Sequence, residues 1–389
     1  MKLKPPQYVR AVMEKLEKAN YECWLVGGCV RDALRGVEPH DYDIACSAKP
    51  AALVALFSGV PCLLKGLSHG TVTPIVAGHP VEVTAYRVEG AYSDHRRPDS
   101  VRFVNTVEED LSRRDFTVNA MAYHPRRGLF DPFGGQFDLD QKMIRAVGEP
   151  SLRFEEDALR ILRGMRFSAR LGFSVEPYTA AAMRDKAQTL RLIAAERITA
   201  ELRAMLESPA SSELPGEFFP VFAALFPGLE ERDIPALRSA FAAAGGDAGL
   251  RLAALALCSD FARWEKLALT RKESKRIKKL CALSALPSSR FSPWEIILTA
   301  AEQGVADVAD CLLLRSAAGE DTEAAGAALT EALEQRLPLD LADLALSGAD
   351  LKPLLPPERI GGALKALQRA VLMGACPNRK EALLSYLNQ

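Results

Sequence analysis

Histidine is scarce in this 389-residue chain: there are five, and all lie at or before His124. A phosphohydrolase centre built on histidine and aspartate metal ligands therefore has nothing to use in the C-terminal half. The eight cysteines (23, 29, 46, 62, 258, 281, 311 and 376) form no C-x-x-C pair and no metal-ligand spacing. Several sit in apolar runs, which predicts buried thiols in a reducing compartment and excludes a disulfide scaffold. No apolar run approaches the length of a membrane span, and the opening MKLKPPQ leads into an amphipathic segment, not an apolar signal core. A cytoplasmic protein without a membrane partner is expected. Positive charge is also lacking overall: the net charge is −1. Any nucleic-acid surface must be local, with acidic surface elsewhere balancing it. No fixed-period repeat is present, which excludes a solenoid.

What remains is ordinary globular composition, 48% hydrophobic and 25% charged, in a chain long enough for more than one domain. Its centre of gravity is Trp24 to Cys46, WLVGGCVRDALRGVEPHDYDIAC. The apolar run Cys23 to Val26 predicts a buried strand ending in the tight turn Gly27-Gly28. A helix starts at Val30 to Leu34 and is broken by Gly36 to His40. Asp41 to Ala45 then predicts a second short strand, on which Asp41 and Asp43 share a face. Paired carboxylates repel unless a cation sits between them, and hard oxygen ligands suit Mg²⁺. Gly27 and Gly28 let the backbone approach a phosphate, and Arg31, one turn into the helix, can grip it. Phosphate grip beside a carboxylate pair equips a chain for nucleotidyl transfer.

These residues, as GG-x-V-R-D-x-L-x-G followed by D-x-D-I-A, resemble the signature of the polymerase-β-like nucleotidyltransferases. The match is to their class II branch, which holds tRNA CCA-adding enzymes and bacterial poly(A) polymerases. The resemblance implies an α+β N-terminal nucleotidyltransferase domain followed by an all-α region. Its expected boundaries are a catalytic head over 1–150, a helical nucleotide-selecting neck over 151–210, and a helical body and tail binding tRNA over 211–389.

Along the chain, Val9 to Ala19 has a helical apolar period, and Ser47 to Pro50 is expected to cap a helix over Ala51 to Phe57. Thr71 to Ala77 and Val81 to Ala85 are β-branched runs joined by Gly78-His79, a hairpin signal. Its one acid, Glu82, is either a third carboxylate of the metal site or an outward strand residue. Arg87 to Phe103 is long, polar and arginine-rich, hence a functional or disordered loop. The family carries a flexible loop at this point. In RRDFTVNAMAY, Arg113-Arg114-Asp115 and Asn119 resemble the family's R-R-D-x-x-x-N-A motif, whose second arginine, here Arg114, helps hold the triphosphate.

From about Ser151 the pattern is helical. Glu155 to Phe167, EEDALRILRGMRF, is expected as one helix with Asp157, Arg160, Arg163 and Arg166 stepping at i+3 along one side. The family has E-D-x-x-R here, matched by Glu156, Asp157 and Arg160. Cytosine and adenine both place an exocyclic amine beside an unprotonated ring nitrogen. One aspartate acceptor with one arginine donor therefore accepts both and rejects uracil and guanine. Arg163 and Arg166 would then face the sugar-phosphate. Glu196-Arg197-Ile198 resembles the motif that supports this helix in the family. Further on, Lys272, Lys275, Arg276 and Lys279 fall on one face of a helix, either an RNA-backbone contact or a solvated stripe.

Together these features imply template-independent addition of CCA to the 3′ end of tRNA from CTP and ATP with Mg²⁺, and no protein partner. The alternatives are an enzyme adding only CC or only A, a poly(A) polymerase, and a catalytically dead RNA-binding module. Against poly(A) polymerase, the basic G-R-R/K-F stretch that branch usually carries is replaced here by Cys62 to Gly70, CLLKGLSHG.

Overall fold

The computed structural model describes residues 3–90, 101–264 and 267–387. The central ten residues of the expected loop, 91–100, lie outside the described residues. The chain divides into two units, Met1–Pro227 with Ala262–Ala268, and Gly228–Phe261 with Leu269–Gln389.

The first unit is built on a mixed sheet, and its logic is the alternation of side chains along β1 (Cys23–Val26), all four residues of which are buried. Cys23 and Leu25 join one apolar cluster with Val9, Val12, Met13 and Leu16 of helix α1 (Gln7–Lys18). Trp24 and Val26 join another with Tyr86, Leu111 and Ala122 on the opposite face. Between β1 and its neighbour lies the short helix α2 (Gly28–Leu34). Strand β2 (Asp43–Cys46) runs antiparallel to β1, with Val26 opposite Asp43. Ala45 packs on the Trp24 side, so Asp43, two residues earlier, leaves the sheet on that face too. Asp41 does not belong to the strand. It precedes it in irregular backbone, so strand pleating does not align the two aspartates as expected.

Helix α3 (Pro50–Leu56) starts without a side-chain cap. The expected cap residue Ser47 instead accepts the backbone N–H of Glu22 at 3.0 Å, tying the end of β2 to the start of β1. The sheet continues with β3 (Cys62–Leu63), β4 (Thr71–Val76), β5 (His79–Pro80) and β6 (Glu82–Ala85). Strand β4 pairs antiparallel with β5 and β6 across the turn at Ala77-Gly78, and β6 runs parallel to β2 with Glu82 beside Asp43. Strands β7 (Arg87–Glu89) and β8 (Val101–Phe103) form a separate antiparallel pair. Helix α4 (Val107–Ser112) follows, then β9 (Ala122–His124) and β10 (Gly128–Phe130), which complete the order β10-β9-β1-β2-β6-β4-β3.

After α5 (Gly135–Asp140), β11 (Met143–Ile144) pairs in parallel with β12 (Ser174–Val175). The stretch beyond Ser151 is thus not purely helical. Nor is Glu155 to Phe167 one helix. Helix α6 (Pro150–Glu156) ends at Asp157, whose backbone is extended, and α7 (Leu159–Leu171) begins afresh. The Asp157 carboxylate accepts the N–H of Leu159 at 3.1 Å, a local bond that competes with helix continuation. Helix α7 packs closely on Phe116, which precedes the turn Thr117–Asn119, because residue 164 is glycine. A Cβ there would lie 2.9 Å from the Phe116 ring. Helices α8 (Pro177–Asp185), α9 (Ala195–Leu206), α10 (Leu214–Glu217) and α11 (Phe219–Leu225) complete this unit.

The described part of the second unit is helical: α12 (Ile234–Ala243), α13 (Ala248–Leu257), α14 (Arg271–Ser284), α15 (Glu295–Gln303), α16 (Val305–Ala317), α17 (Glu323–Glu334), α18 (Gly348–Leu351), α19 (Pro357–Leu372) and α20 (Lys380–Leu387). Two apolar clusters hold much of it, one around Ile296, Val308 and Cys311, the other around Leu346, Leu351 and Leu383. No helix among the described residues is long and apolar enough to cross a membrane.

Candidate functional site

A cleft of about 690 Å³ in the first unit gathers side chains from five parts of the chain. Gly27, Gly28 and Arg31 come from the β1–α2 turn, and Asp41 and Asp43 from β2 and its approach. Arg113, Arg114, Asp115 and Asn119 follow α4, and Asp157, Arg160, Arg163, Arg166 and Phe167 come from the α6–α7 break and α7. Arg197 enters from α9. Gly27 has φ +75, a conformation that favours glycine, and a Cβ on it would lie 3.0 Å from Nη1 of Arg114. A side chain at position 27 would press on the arginine that lies across the turn.

Burial, the neighbouring charge of Glu82 and that of Asp41 push the Asp43 carboxyl up to about 6, against the lowering influence of Arg114. Crowded carboxylates with hard oxygen donors fit a divalent cation, which would relieve the repulsion. Asp41 and Asp43 line the cleft; Glu82 does not, is exposed, and is placed beside Asp43 by strand register. Among the described residues, the side chains that converge with metal-ligand spacing are Glu17, Cys23 and His124, away from this cleft. That cluster is a structural hydrogen bond. Nδ1 of His124 accepts the N–H of Arg126 at 3.2 Å, so Nε2 carries the proton and donates to Glu17 at 2.9 Å. Neither imidazole nitrogen is left with a lone pair for a cation, and burial pushes the Cys23 thiol up to about 12.

The arginines are held in a chain of bonds. Arg31 donates through Nη1 to Oδ1 of Asn119 at 2.7 Å, and Asn119 donates through Nδ2 to Asp115 at 3.1 Å. Asp115 also accepts two bonds from Arg163, at 2.9 and 2.7 Å. Arg166 donates to Glu201 at 2.6 Å. The Phe167 ring carries three guanidiniums around it, Arg166 at 4.5 Å, Arg31 at 5.4 Å and Arg163 at 5.5 Å. Burial by itself would raise the Asp115 carboxyl, but the charge and bonds of Arg163, with those of Asn119 and the Phe116 N–H, bring it down to about 2. Since the folded value lies below the unfolded value of about 3.9, the stabilisation is complete above that pH and is lost as pH falls toward 2. Asp115→Asn should therefore cost stability, on the order of 2 kcal/mol at pH 7. The gap from wild type should close between about pH 4 and 2, as read by urea unfolding at several pH values. A gap independent of pH would show that Asp115 is not held as an anion.

The pair expected to read the base is arranged differently from the sequence expectation. Asp157 and Arg160 do not share a continuous helix; the Arg160 N–H donates to the Asp157 carbonyl at 3.0 Å, and their side chains engage other partners. Asp157 accepts from Nη2 of Arg197 at 2.9 Å as well as from the Leu159 N–H. Arg160 donates to Glu156 at 2.7 Å and to the Arg113 carbonyl at 2.9 Å. Nη1 of Arg197 is buried without a partner. Glu201 and Phe167 carry no sequence signal of their own, because their importance arises only when α9 packs on α7.

The expected RNA stripe lies on α14 of the second unit, and half of it is occupied. Arg276 donates to Asp247 and Asp310, and Lys279 donates to Asp307 and the Gln303 carbonyl. Lys272 and Lys275 are exposed, as are Arg271 and Lys278. The solvent-facing cations are therefore shifted around the helix, because the 276/279 side meets α13 and α16.

Three family profiles match the chain: "Poly A polymerase head domain" over residues 23–145, "Probable RNA and SrmB- binding site of polymerase A" over 172–214, and "tRNA nucleotidyltransferase domain 2 putative" over 264–387. A CCA-adding enzyme of Limosilactobacillus fermentum is 36% identical over 397 residues, covering 96% of this chain and 94% of that one. One of Streptococcus mutans is 46% identical over 213 residues, 54% of this chain and 53% of the relative. Among solved structures, the Bacillus stearothermophilus CCA-adding enzyme in complex with CTP superposes with a TM-score of 0.73 at 30% identity, covering 99% of this chain and 98% of that one. The Thermotoga maritima CCA-adding enzyme complexed with tRNA has the same fold, with a TM-score of 0.76 at 22% identity, covering 97% and 94%.

Proposed function

The chain belongs to the CCA-adding enzymes, a family of tRNA nucleotidyltransferases, and on that premise we propose how its own residues divide the work. It adds CCA to the 3′ end of tRNA from CTP and ATP without a nucleic-acid template, in the cytoplasm. The 3′-hydroxyl of the RNA attacks the α-phosphorus in line, and pyrophosphate leaves. Asp41 and Asp43 hold the divalent cation that the family uses, and Mg²⁺ is the ion their hard oxygens suit. When bound, such an ion lowers the hydroxyl pKa and offsets the charge of the leaving group. Arg31 and Arg114, across the Gly27-Gly28 turn, take the triphosphate, with Asn119 holding Arg31. Asp157 and Arg160 read the base, and Arg163 and Arg166 face the sugar-phosphate. Catalysis belongs to residues 1–150, nucleotide selection to 151–210 and tRNA binding to 211–389.

The observation that carries this reading is that one cleft is lined by the two aspartates, a row of arginines and the Gly27-Gly28 turn. The test is incubation of purified protein with tRNA ending at the discriminator base and each labelled nucleotide. C should be incorporated first and A after it, with no U or G. Incorporation of A alone in long tracts would replace the reading with poly(A) polymerase, and arrest after CC with the partial enzyme.

For RNA binding the exposed face of α14 gives a graded expectation. Neutralising Arg271, Lys272, Lys275 and Lys278 together should weaken tRNA binding and lower the salt slope by about one unit per lost phosphate contact. Neutralising Arg276 and Lys279 should lower thermal stability instead, since both are committed to carboxylates within the unit. Dissociation constants at several salt concentrations decide it. An unchanged slope in the first variant makes the stripe a solvated face.

A further inference from the structure

We propose that Asp110 is a positioning residue for nucleotide binding: it fixes both arginines of the Arg113-Arg114 pair and ties them to the root of the β7–β8 hairpin. The inference rests on the reading that Arg114 takes the triphosphate. Asp110 lies in α4, three and four residues before the two arginines, so it shares a helix face with both. A pair at that spacing is ordinarily a solvated surface feature, but Asp110 is 1% exposed. Its Oδ1 accepts Nε and Nη2 of Arg113, at 3.1 and 2.8 Å, and the backbone N–H of Arg87 at 3.3 Å. Its Oδ2 accepts Nη2 of Arg114 at 3.2 Å.

One buried carboxylate thus holds two guanidiniums and the first residue of β7. A guanidinium is planar, so fixing one edge fixes where the other points. With Nη2 of Arg114 on Asp110, its Nη1 lies across Gly27, within 3.5 Å of the Asn119 carbonyl. Nε of Arg114 is buried without a partner. Arg113, held the same way, offers its carbonyl to Arg160 at 2.9 Å. Asp110 does not line the cleft. Its influence on nucleotide must pass through the arginines. Burial would raise its pKa, but the two guanidiniums outweigh that and keep it lowered, so the carboxylate stays charged.

The arrangement makes Arg87 part of the same unit. Arg87 opens the strand whose pairing partner, β8, returns from residues 91–100. A change at Asp110 therefore reaches the triphosphate arginines and the hairpin root together.

The test is steady-state kinetics of the full chain with tRNA ending at the discriminator base, for wild type, Asp110→Asn, Arg114→Ala and the double variant. The asparagine keeps the shape but turns an NH₂ toward a guanidinium. KM for CTP should rise about tenfold, the inhibition constant of inorganic pyrophosphate should rise by a similar factor, and kcat at saturation should stay within about threefold. In the Arg114→Ala background the same substitution should have a much smaller effect, since its main route is gone. Unchanged KM and pyrophosphate inhibition in a folded variant overturn the proposal. So does a full tenfold effect in the Arg114→Ala background, which would make Asp110 a general support of the fold. Should Asp110→Asn not fold, Asp110→Glu enters the same cycle, keeping the charge and displacing it by one methylene. If wild type incorporates no nucleotide, the proposed function fails; pyrophosphate binding by calorimetry, wild type against variant, still reads the arginine positions.

Discussion

Replacing Asp43 or Asp41 by alanine should abolish incorporation of both C and A, by a factor on the order of 10³ or more, while tRNA binding stays near wild type. The two carboxylates face the cleft from the edge of β2, and nothing else among the described cleft-lining residues supplies hard anionic oxygens at that end except Asp115 and Asp157. Those two are committed, Asp115 to Arg163 and Asp157 to Arg197. A folding defect is separable from a catalytic one. The Asp43 carboxyl is pushed up to about 6 in the folded chain, so the folded state binds more protons than the unfolded state between about pH 4 and 6. Stability is therefore lost as pH rises through that window, and the cost is full above it. Asp43→Asn should remove that cost. In chelator at pH 7 its thermal midpoint should equal or exceed that of wild type, although the protein is inactive. A lower midpoint, or incorporation near wild type in either alanine variant, would end the two-carboxylate assignment. Glu82→Ala gives the companion result. Glu82 is exposed and outside the cleft lining, so its loss should be much milder than that of Asp43 if it only sets the charge beside it.

Arg160→Ala should lower kcat/KM for CTP and ATP by about one to two powers of ten, and for UTP and GTP by much less, so that selectivity collapses. The reason is chemical. A site that hydrogen-bonds the amine and ring nitrogen of cytosine or adenine leaves its own groups unpaired against uracil or guanine, at about 1–3 kcal/mol for each group. Asp157→Ala should act in the same direction. The structure adds a sharper control. Asp157 and Arg160 are bonded to other partners, Arg197 and Glu156, so reading a base requires each to exchange a protein contact for a nucleotide contact. Arg197→Ala frees Asp157 from its guanidinium and should change discrimination without removing either reading atom. The measurement is kcat/KM for all four nucleotides in the four proteins. A uniform loss in Arg160→Ala would mean that Arg160 serves the turn through the Arg113 carbonyl, and base selection would then lie elsewhere.

The sequence by itself determined the strand Cys23–Val26, the glycine turn behind it and the order of the charged motifs. Those signals are local: a run of apolar residues, a glycine pair and an i, i+3 spacing have meaning within a dozen residues. The helical character of the second unit was legible for the same reason. Tertiary structure decided which charges are free and which are spent. Asp157 and Arg160 have helical spacing in the sequence, yet Asp157 is extended, its carboxylate takes the Leu159 N–H, and the helix that would have aligned them is interrupted there. Lys272, Lys275, Arg276 and Lys279 have one-face spacing, yet Asp247, Asp310 and Asp307, brought in by residues 28 to 34 positions away, occupy two of them. Asp110 has i, i+3 and i, i+4 spacing to two arginines, and no local spacing joins Glu201 to Arg166. Such spacing does not tell a hub from a solvated pair, since a carboxylate becomes a hub only when packing excludes water and gathers guanidiniums around it. Hydrophobic periodicity is a property of one segment, whereas electrostatic partnership depends on distance across the whole fold.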